Sequence, residues 1–162
     1  MTTDDQNTPF SSLFTPADVI CRTEVKNRDK VLHDLLERMA LRRPFGDVED
    51  AYRAVLVRET DMATIVAPGM AMPHVRLDTI THLVVGVATS AEGIVFDPSR
   101  PDSPVKLLIL TLAPKASPGA YLQALGSVAA ICRAPSTPDV VANFDTPEDV
   151  WAFFDKGGTS GL

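Results

Sequence analysis

Gly69-Met70-Ala71-Met72-Pro73-His74-Val75-Arg76 sets a histidine directly after a proline, behind a run of small residues and methionines. Proline fixes its own φ and drives Met72 toward extended geometry. His74 therefore leaves a stiff, extended backbone. Its imidazole titrates near about 6.5 when unperturbed, so a large neutral fraction with a free ring lone pair exists at pH 7. A neutral imidazole at a strand end is a competent nucleophile toward phosphorus. Side chains alternate along a strand, which puts Arg76 on the same side as His74, where a guanidinium can meet a phosphoryl oxygen. The competing reading is an ordinary buried or capping histidine beside a surface arginine.

Working outward, two extended segments, residues 64–67 and 70–75, flank Pro68-Gly69. Upstream, Val31, Leu32, Leu35, Leu36, Met39 and Ala40 recur at three- and four-residue steps and predict an amphipathic helix over residues 29–41, capped by Asn27 or Asp29. His33 falls on its polar face and is expected in solvent. A second helix is predicted over residues 48–58, with Asp47 as cap and Ala51, Val55 and Leu56 as its inner stripe. Residues 18–25 have the β-branched content of a short strand. Phe10, Leu13 and Phe14 are apolar enough to pack onto the domain.

Downstream, residues 83–89 and 93–96 are expected as two strands. Residues 105–112 (VKLLILTL) form the most hydrophobic run in the chain and predict a central strand, apolar because both its faces are covered. Pro118 opens a helix over residues 119–133, with Leu122, Leu125, Val128, Ala129 and Cys132 as its buried stripe. Two short helices follow, over residues 137–143 and 147–155, the second with Trp151 and Phe154. Interleaved helices and strands predict a single α/β domain over residues 10–156, a mixed β-sheet sandwiched between helices. Residues 1–9 and 157–162 are expected to be flexible tails.

The chain has 162 residues, is 45% hydrophobic and 22% charged, and carries a net charge of −6. That length suits one domain with a sizeable core. The acidic balance argues against a nucleic-acid binder, which needs a basic footprint, and is compatible with docking to a basic protein surface. No run approaches the roughly 20 apolar residues that span a bilayer, and no signal-peptide core is visible, so neither membrane nor export is expected and the compartment is read as cytoplasmic. Cys21 and Cys132 lack metal or redox spacing and are expected as reduced core thiols. The sequence has no metal-ligand set, phosphate-binding glycine loop, dinucleotide fingerprint or Gly-x-Ser-x-Gly elbow. His82, ahead of an apolar strand, is read as a surface residue. The acid pairs Glu49-Asp50 and Glu148-Asp149 suit the first turns of helices.

Taken in order, Arg58-Glu59, Thr64, Gly69, Ala71-x-Pro73-His74, Gly93-Ile94-x-Phe96-Asp97, Pro104-Val105, Leu112-Ala113-Pro114 and Leu122-x-x-Leu125-x-x-x-Ala129 form a recognisable series. The chain resembles the enzyme IIA domain of the bacterial phosphotransferase system, of the fructose/mannitol type, and within it the stand-alone nitrogen-related branch. The resemblance runs over residues 10–154. It implies a mixed sheet between helices, with the active histidine in a shallow depression. It also implies that His74 accepts a phosphoryl group from a histidine-containing phosphocarrier protein. The acceptor then passes the group to a IIB domain or, in the nitrogen-related branch, signals its state to a regulated target. Arg58 matches the family's active-site arginine, with Thr64, Tyr121 and Arg76 as phosphoryl-binding support. No metal or cofactor is expected, because transfer between two histidines needs only in-line approach and donors to the equatorial oxygens.

Two positions depart from the family pattern. Tyr121 stands where a second histidine usually lies, and a phenol donates a hydrogen bond without carrying positive charge. The glycine-rich approach reads Ala63-Thr64-Ile65-Val66-Ala67-Pro68-Gly69, with less permissive backbone and one amide donor fewer. Two readings stay open at this stage: a phosphoryl-accepting regulator, or an interaction module that keeps the fold but is impaired in phosphorylation.

Overall fold

Val105–Pro114 (β6) is the axis of the sheet, as its unbroken apolar run predicts. The computed structural model describes residues 9–61 and 64–158. Of the tails expected at residues 1–9 and 157–162, residues 1–8 and 159–162 lie outside the described residues, as does Ala63 of the altered approach loop. The other strands are β1 (Val19–Ile20), β2 (Ile65–Ala67), β3 (Met70–Ala71), β4 (His74–Leu77) and β5 (Val84–Ile94). The order β1-β5-β6-β3-β2 makes a six-stranded sheet, and β4 also pairs with β6. β6 runs antiparallel to β5 and parallel to β3 and β4, so the sheet is mixed.

Helices cover both faces. On one side lie α1 (Arg28–Arg42) and α2 (Val48–Asp61); on the other lie α3 (Pro118–Ile131), α4 (Thr137–Ala142) and α5 (Pro147–Asp155). Alternation along β6 splits its side chains between the two layers. Leu108, Leu110 and Leu112 join Val31, Leu35, Met39 and Val55 of the first layer. Leu107 and Ile109 join Val128, Val141, Val150 and Phe154 of the second, where Phe10 and Phe14 also pack. This is the predicted single α/β domain with helices on both faces of a mixed sheet.

Helix starts follow local chemistry. The Asn27 side chain accepts the Lys30 N–H at 2.9 Å, Asp47 accepts that of Asp50 at 3.1 Å, and Thr146 accepts that of Asp149 at 3.1 Å. Each satisfies an N–H that the first turn leaves without a partner.

Several expectations need correction. The strand over residues 18–25 shrinks to Val19–Ile20. Thr15 and Asp18 close a capping box around the short turn Pro16–Asp18, buried Asp18 pairs with Arg42 at 2.6 Å, and Arg22 turns the chain with φ 57°. The strands expected at 83–89 and 93–96 fuse into β5, whose register with β6 breaks between Thr89 and Ile94. There the Ser90 hydroxyl accepts the Gly93 N–H at 2.8 Å and Gly93 takes φ +102°. A Cβ at Gly93 would overlap Pro104. Leu122, placed in the buried stripe of α3, is 66% exposed and Ala129 is exposed, while Ala124 and Val128 face the core. The helix is turned so that Tyr121 faces the sheet edge, which rotates Leu122 outward. His33 is half-buried rather than solvated, with Nε2 2.6 Å from Glu49. Cys21 and Cys132 are free thiols but only half-buried. Gly157 and Gly158 close the end of α5, donating to the carbonyls of Phe154 and Phe153.

Candidate functional site

His74 opens β4 because Pro73 cannot donate to the sheet. β3 pairs Ala71 with Leu108, β4 pairs His74 with Thr111, and Met72-Pro73 bridge the gap along the same edge of β6. The Pro73 carbonyl accepts the Thr111 N–H at 3.0 Å, which pins the residue just before the histidine. Val75 belongs to the α1–α2 layer, so His74 faces the α3–α5 layer, together with Met70 and Met72.

From that layer comes Tyr121, in the first turn of α3. Its ring stacks on the His74 imidazole with centroids 3.9 Å apart and planes 18° from parallel. His74 is half-buried as a result, and its Nδ1 is fully enclosed without a hydrogen-bond partner among the described residues. Burial pushes the His74 pKa down from its ordinary value, and the positive charges of Arg58 and Arg76 push the same way; the Met72 carbonyl opposes them. The imidazole is held neutral at pH 7, the state that keeps a lone pair. Burial also raises the Tyr121 pKa, so its hydroxyl stays protonated.

Arg58 sits in the last turn of α2 with an exposed side chain, and no ion pair engages it among the described residues. Its charge nonetheless reaches His74, Tyr121 and Glu59. Arg76 is exposed two residues along β4 from His74. Thr64 is placed differently from the expectation of a free donor. Its hydroxyl donates to Glu59 Oε2 at 2.7 Å and its N–H to Oε1 at 3.1 Å, while its carbonyl accepts the Met72 N–H at 2.9 Å. The chain Glu59–Thr64–Met72 thus ties the end of α2 to the backbone that carries His74. Glu59 is buried, and burial raises its carboxyl pKa against the lowering effect of the Thr64 bonds.

Two residues of this site were not assigned roles from the sequence. Glu59 carries a local signal: an acid in the last turn of a helix opposes the macrodipole, so something else must hold it there. Thr111 is the one polar side chain among the fully buried residues of β6, and its buried Oγ1 has no partner among the described residues. Chemically, the arrangement offers a fixed neutral imidazole in a shallow setting with guanidinium charge nearby. A cavity of about 680 Å³ lies beside the approach loop, lined by Pro68, Gly69, Arg100, Lys106 and Pro138 among others; His74 does not line it. Such an open histidine suits a partner protein's surface better than an enclosed small substrate.

The family model described as "Phosphoenolpyruvate-dependent sugar phosphotransferase system, EIIA 2" matches residues 12–157. A fructose-specific EIIA component of the phosphotransferase system from Haloferax volcanii is 33% identical over 118 residues, 72% of this chain and 76% of that protein. Among solved structures, the nitrogen regulatory protein IIA-Ntr of Neisseria meningitidis superposes with a TM-score of 0.77 at 21% identity, covering 89% of this chain and 97% of that one. The complex of mannitol enzyme IIA with phosphorylated enzyme IIB from Escherichia coli matches with a TM-score of 0.73 at 15% identity, covering 88% and 97%.

Proposed function

The chain belongs to the EIIA 2 family of the phosphoenolpyruvate-dependent sugar phosphotransferase system, and from that premise we propose that His74 accepts a phosphoryl group from a phosphohistidine carrier protein and that the protein acts mainly as a regulator. The observation that carries this reading is the ring itself: stacked on Tyr121, kept neutral, with Nδ1 turned inward. Nε2 is then the nitrogen left to meet phosphorus. In the transfer, the Nε2 lone pair forms the new N–P bond as the donor's N–P bond breaks, and the donor nitrogen leaves with that electron pair. Nδ1 keeps its proton throughout. Arg58 supplies positive charge to the equatorial oxygens of a loose transition state, and Arg76 adds to that field. Tyr121 offers a hydroxyl donor. Thr64 supports the site through Glu59, by fixing the Met72 backbone, rather than by donating to phosphate.

The regulatory emphasis and the partners follow from the relatives. A IIA-Ntr structure and a fructose-specific component both resemble the chain, and a mannitol IIA is known bound to a phosphorylated IIB. A IIB domain or a regulated target is accordingly the next partner after the phosphocarrier. Among the described residues no helix is long and apolar enough to cross a membrane.

Two observations favour the second reading, an interaction module impaired in transfer: Tyr121 covers a face of His74, and the Thr64 hydroxyl is already engaged. Incubation with a general phosphotransferase donor system and intact-mass measurement decides between the two. The expected result is one added phosphoryl group, labile to acid and stable to base, absent from His74→Ala. No adduct supports the impaired module; an adduct mapping to His33 or His82 overturns the assignment.

A further inference from the structure

Two polar atoms beside each other in the sheet are buried and have no hydrogen-bond partner among the described residues: His74 Nδ1 and Thr111 Oγ1. His74 and Thr111 are register partners on adjacent parallel strands. They also share a face, because their neighbours Val75, Leu110 and Leu112 all point into the opposite, α1–α2 layer. Adjacent strands lie about 4.8 Å apart, so a threonine hydroxyl and the near nitrogen of an in-register histidine are within reach through a staggered χ1 change or a small ring tilt. Orphaned buried polar groups are costly, and here each can satisfy the other.

The geometry points to Thr111 as the positioning residue that fixes the tautomer of His74: its Oγ1 accepts the Nδ1–H of the neutral ring, which leaves the lone pair on Nε2. Free histidine favours the opposite tautomer, with the proton on Nε2 and no nucleophile there. Without an inner acceptor the ring would spend much of its time unable to attack. The inference rests on His74 as phosphoryl acceptor for its purpose, but not for its test.

The test is made on the unphosphorylated, ¹⁵N-labelled full chain. Wild type is expected to show the unprotonated, pyridine-type nitrogen signal at Nε2 of His74. Thr111→Val, close in shape but without the oxygen, should shift His74 toward the Nε2–H form, and Thr111→Ser should restore the wild-type pattern. Denaturant midpoints should fall modestly in Thr111→Val, since the buried Nδ1–H loses its acceptor, and recover in Thr111→Ser. Transfer from the phosphocarrier should slow by about threefold to tenfold in Thr111→Val, in proportion to the fraction of competent tautomer, and recover in Thr111→Ser. A wild type with its proton on Nε2, or a Thr111→Val with unchanged tautomer, would overturn the role of Thr111. A wild type that shows the expected tautomers but accepts no phosphate would instead overturn the acceptor reading alone.

Discussion

Tyr121 stacks on His74 and, in the proposed function, also offers its hydroxyl to the phosphoryl group; substituting it in three ways separates the two. The ring stacks at 3.9 Å and buries one imidazole face; the hydroxyl makes no hydrogen bond among the described residues. An aromatic stack contributes about 0.5–1.5 kcal/mol beyond area burial. Covering roughly half of an aromatic ring contributes about another 1 kcal/mol. Tyr121→Ala should therefore cost about 2 kcal/mol, a fall in Tm of about 4–8 °C for a chain this size. Tyr121→Phe keeps the ring and should change stability by less than about 0.5 kcal/mol. If the hydroxyl donates to the phosphoryl group, Tyr121→Phe should shorten the phosphoprotein's lifetime by about twofold to twelvefold, the worth of one neutral hydrogen bond. Tyr121→His can carry charge and should lengthen it, since a charge-assisted bond is about twice as strong.

The same series moves the titration of His74. Burial is the largest cause of its lowered pKa, so opening the ring to water in Tyr121→Ala should raise that pKa toward the ordinary value, and Tyr121→Phe should leave it low. The sign for stability follows. With the folded pKa below the unfolded one, the unfolded chain takes up the proton first as pH falls. Wild type thus loses stability from the ordinary histidine value down to the lowered one and no further below it. Tyr121→Ala should lose less over that window. Titration of the His74 ring protons by NMR, with denaturant melts on both sides of the window, measures both effects. An unchanged His74 pKa and an unchanged midpoint in Tyr121→Ala would refute the argument that stacking sets the state of the ring.

Arg58→Ala should slow phosphoryl transfer to His74 by about tenfold to a thousandfold, the range for one charged contact in the transition state, with little change in unfolding midpoint because the side chain is exposed. Stopped transfer assays check the rate; equality with wild type would make Arg58 a bystander. Asp18→Ala should destabilise the fold by about 2–3 kcal/mol, since it strands Arg42 and removes the acceptor of the Thr15 N–H at 2.9 Å. The figure is set below that for a fully buried pair because Arg42 is partly exposed and can regain water. Denaturant unfolding measures it, and a midpoint within error of wild type would show that the Asp18–Arg42 pair and the Thr15 bond add no net stability.

The elements that could be read from the sequence are those whose cause is local. Six apolar residues at three- and four-residue steps make α1 a helix whatever surrounds it. The run VKLLILTL can only be a strand covered on both faces. The misjudged elements are those decided at long range. The chain leaves extended geometry at residue 21 because Asp18 is committed to Arg42, far along the chain, and Arg22 donates its N–H to the Thr89 hydroxyl at 2.8 Å. Ser-Ala-Glu-Gly at residues 90–93 has the composition of a turn, yet the Ser90–Gly93 bond turns it into an irregularity within one strand.

The site divides the same way. Pro73 and Pro118 are local marks, and they correctly give an extended approach to His74 and a helix start just before Tyr121. What brings the two rings together is β6. Its Thr111 sets where β4 begins, and its last residue, Pro114, lies opposite Leu77. Only Lys115, Ala116 and Ser117 separate that point from α3. A connection so short forces the helix to turn back over the sheet at once, so its first turn overlies the strand that has just run beside β6. Tyr121 lands on His74 for that reason, and Leu122, next on the helix, is carried outward. The commitment of the Thr64 hydroxyl to Glu59 has only a faint local mark, an acid in the last turn of a helix, which does not name its partner. A threonine upstream of a histidine reads as a donor, and only the burial of Glu59 at the end of a packed helix shows where that donor is already spent. The residues proposed to do chemistry here are legible from their types. The residues that hold them in place become legible only through the partners that the fold supplies.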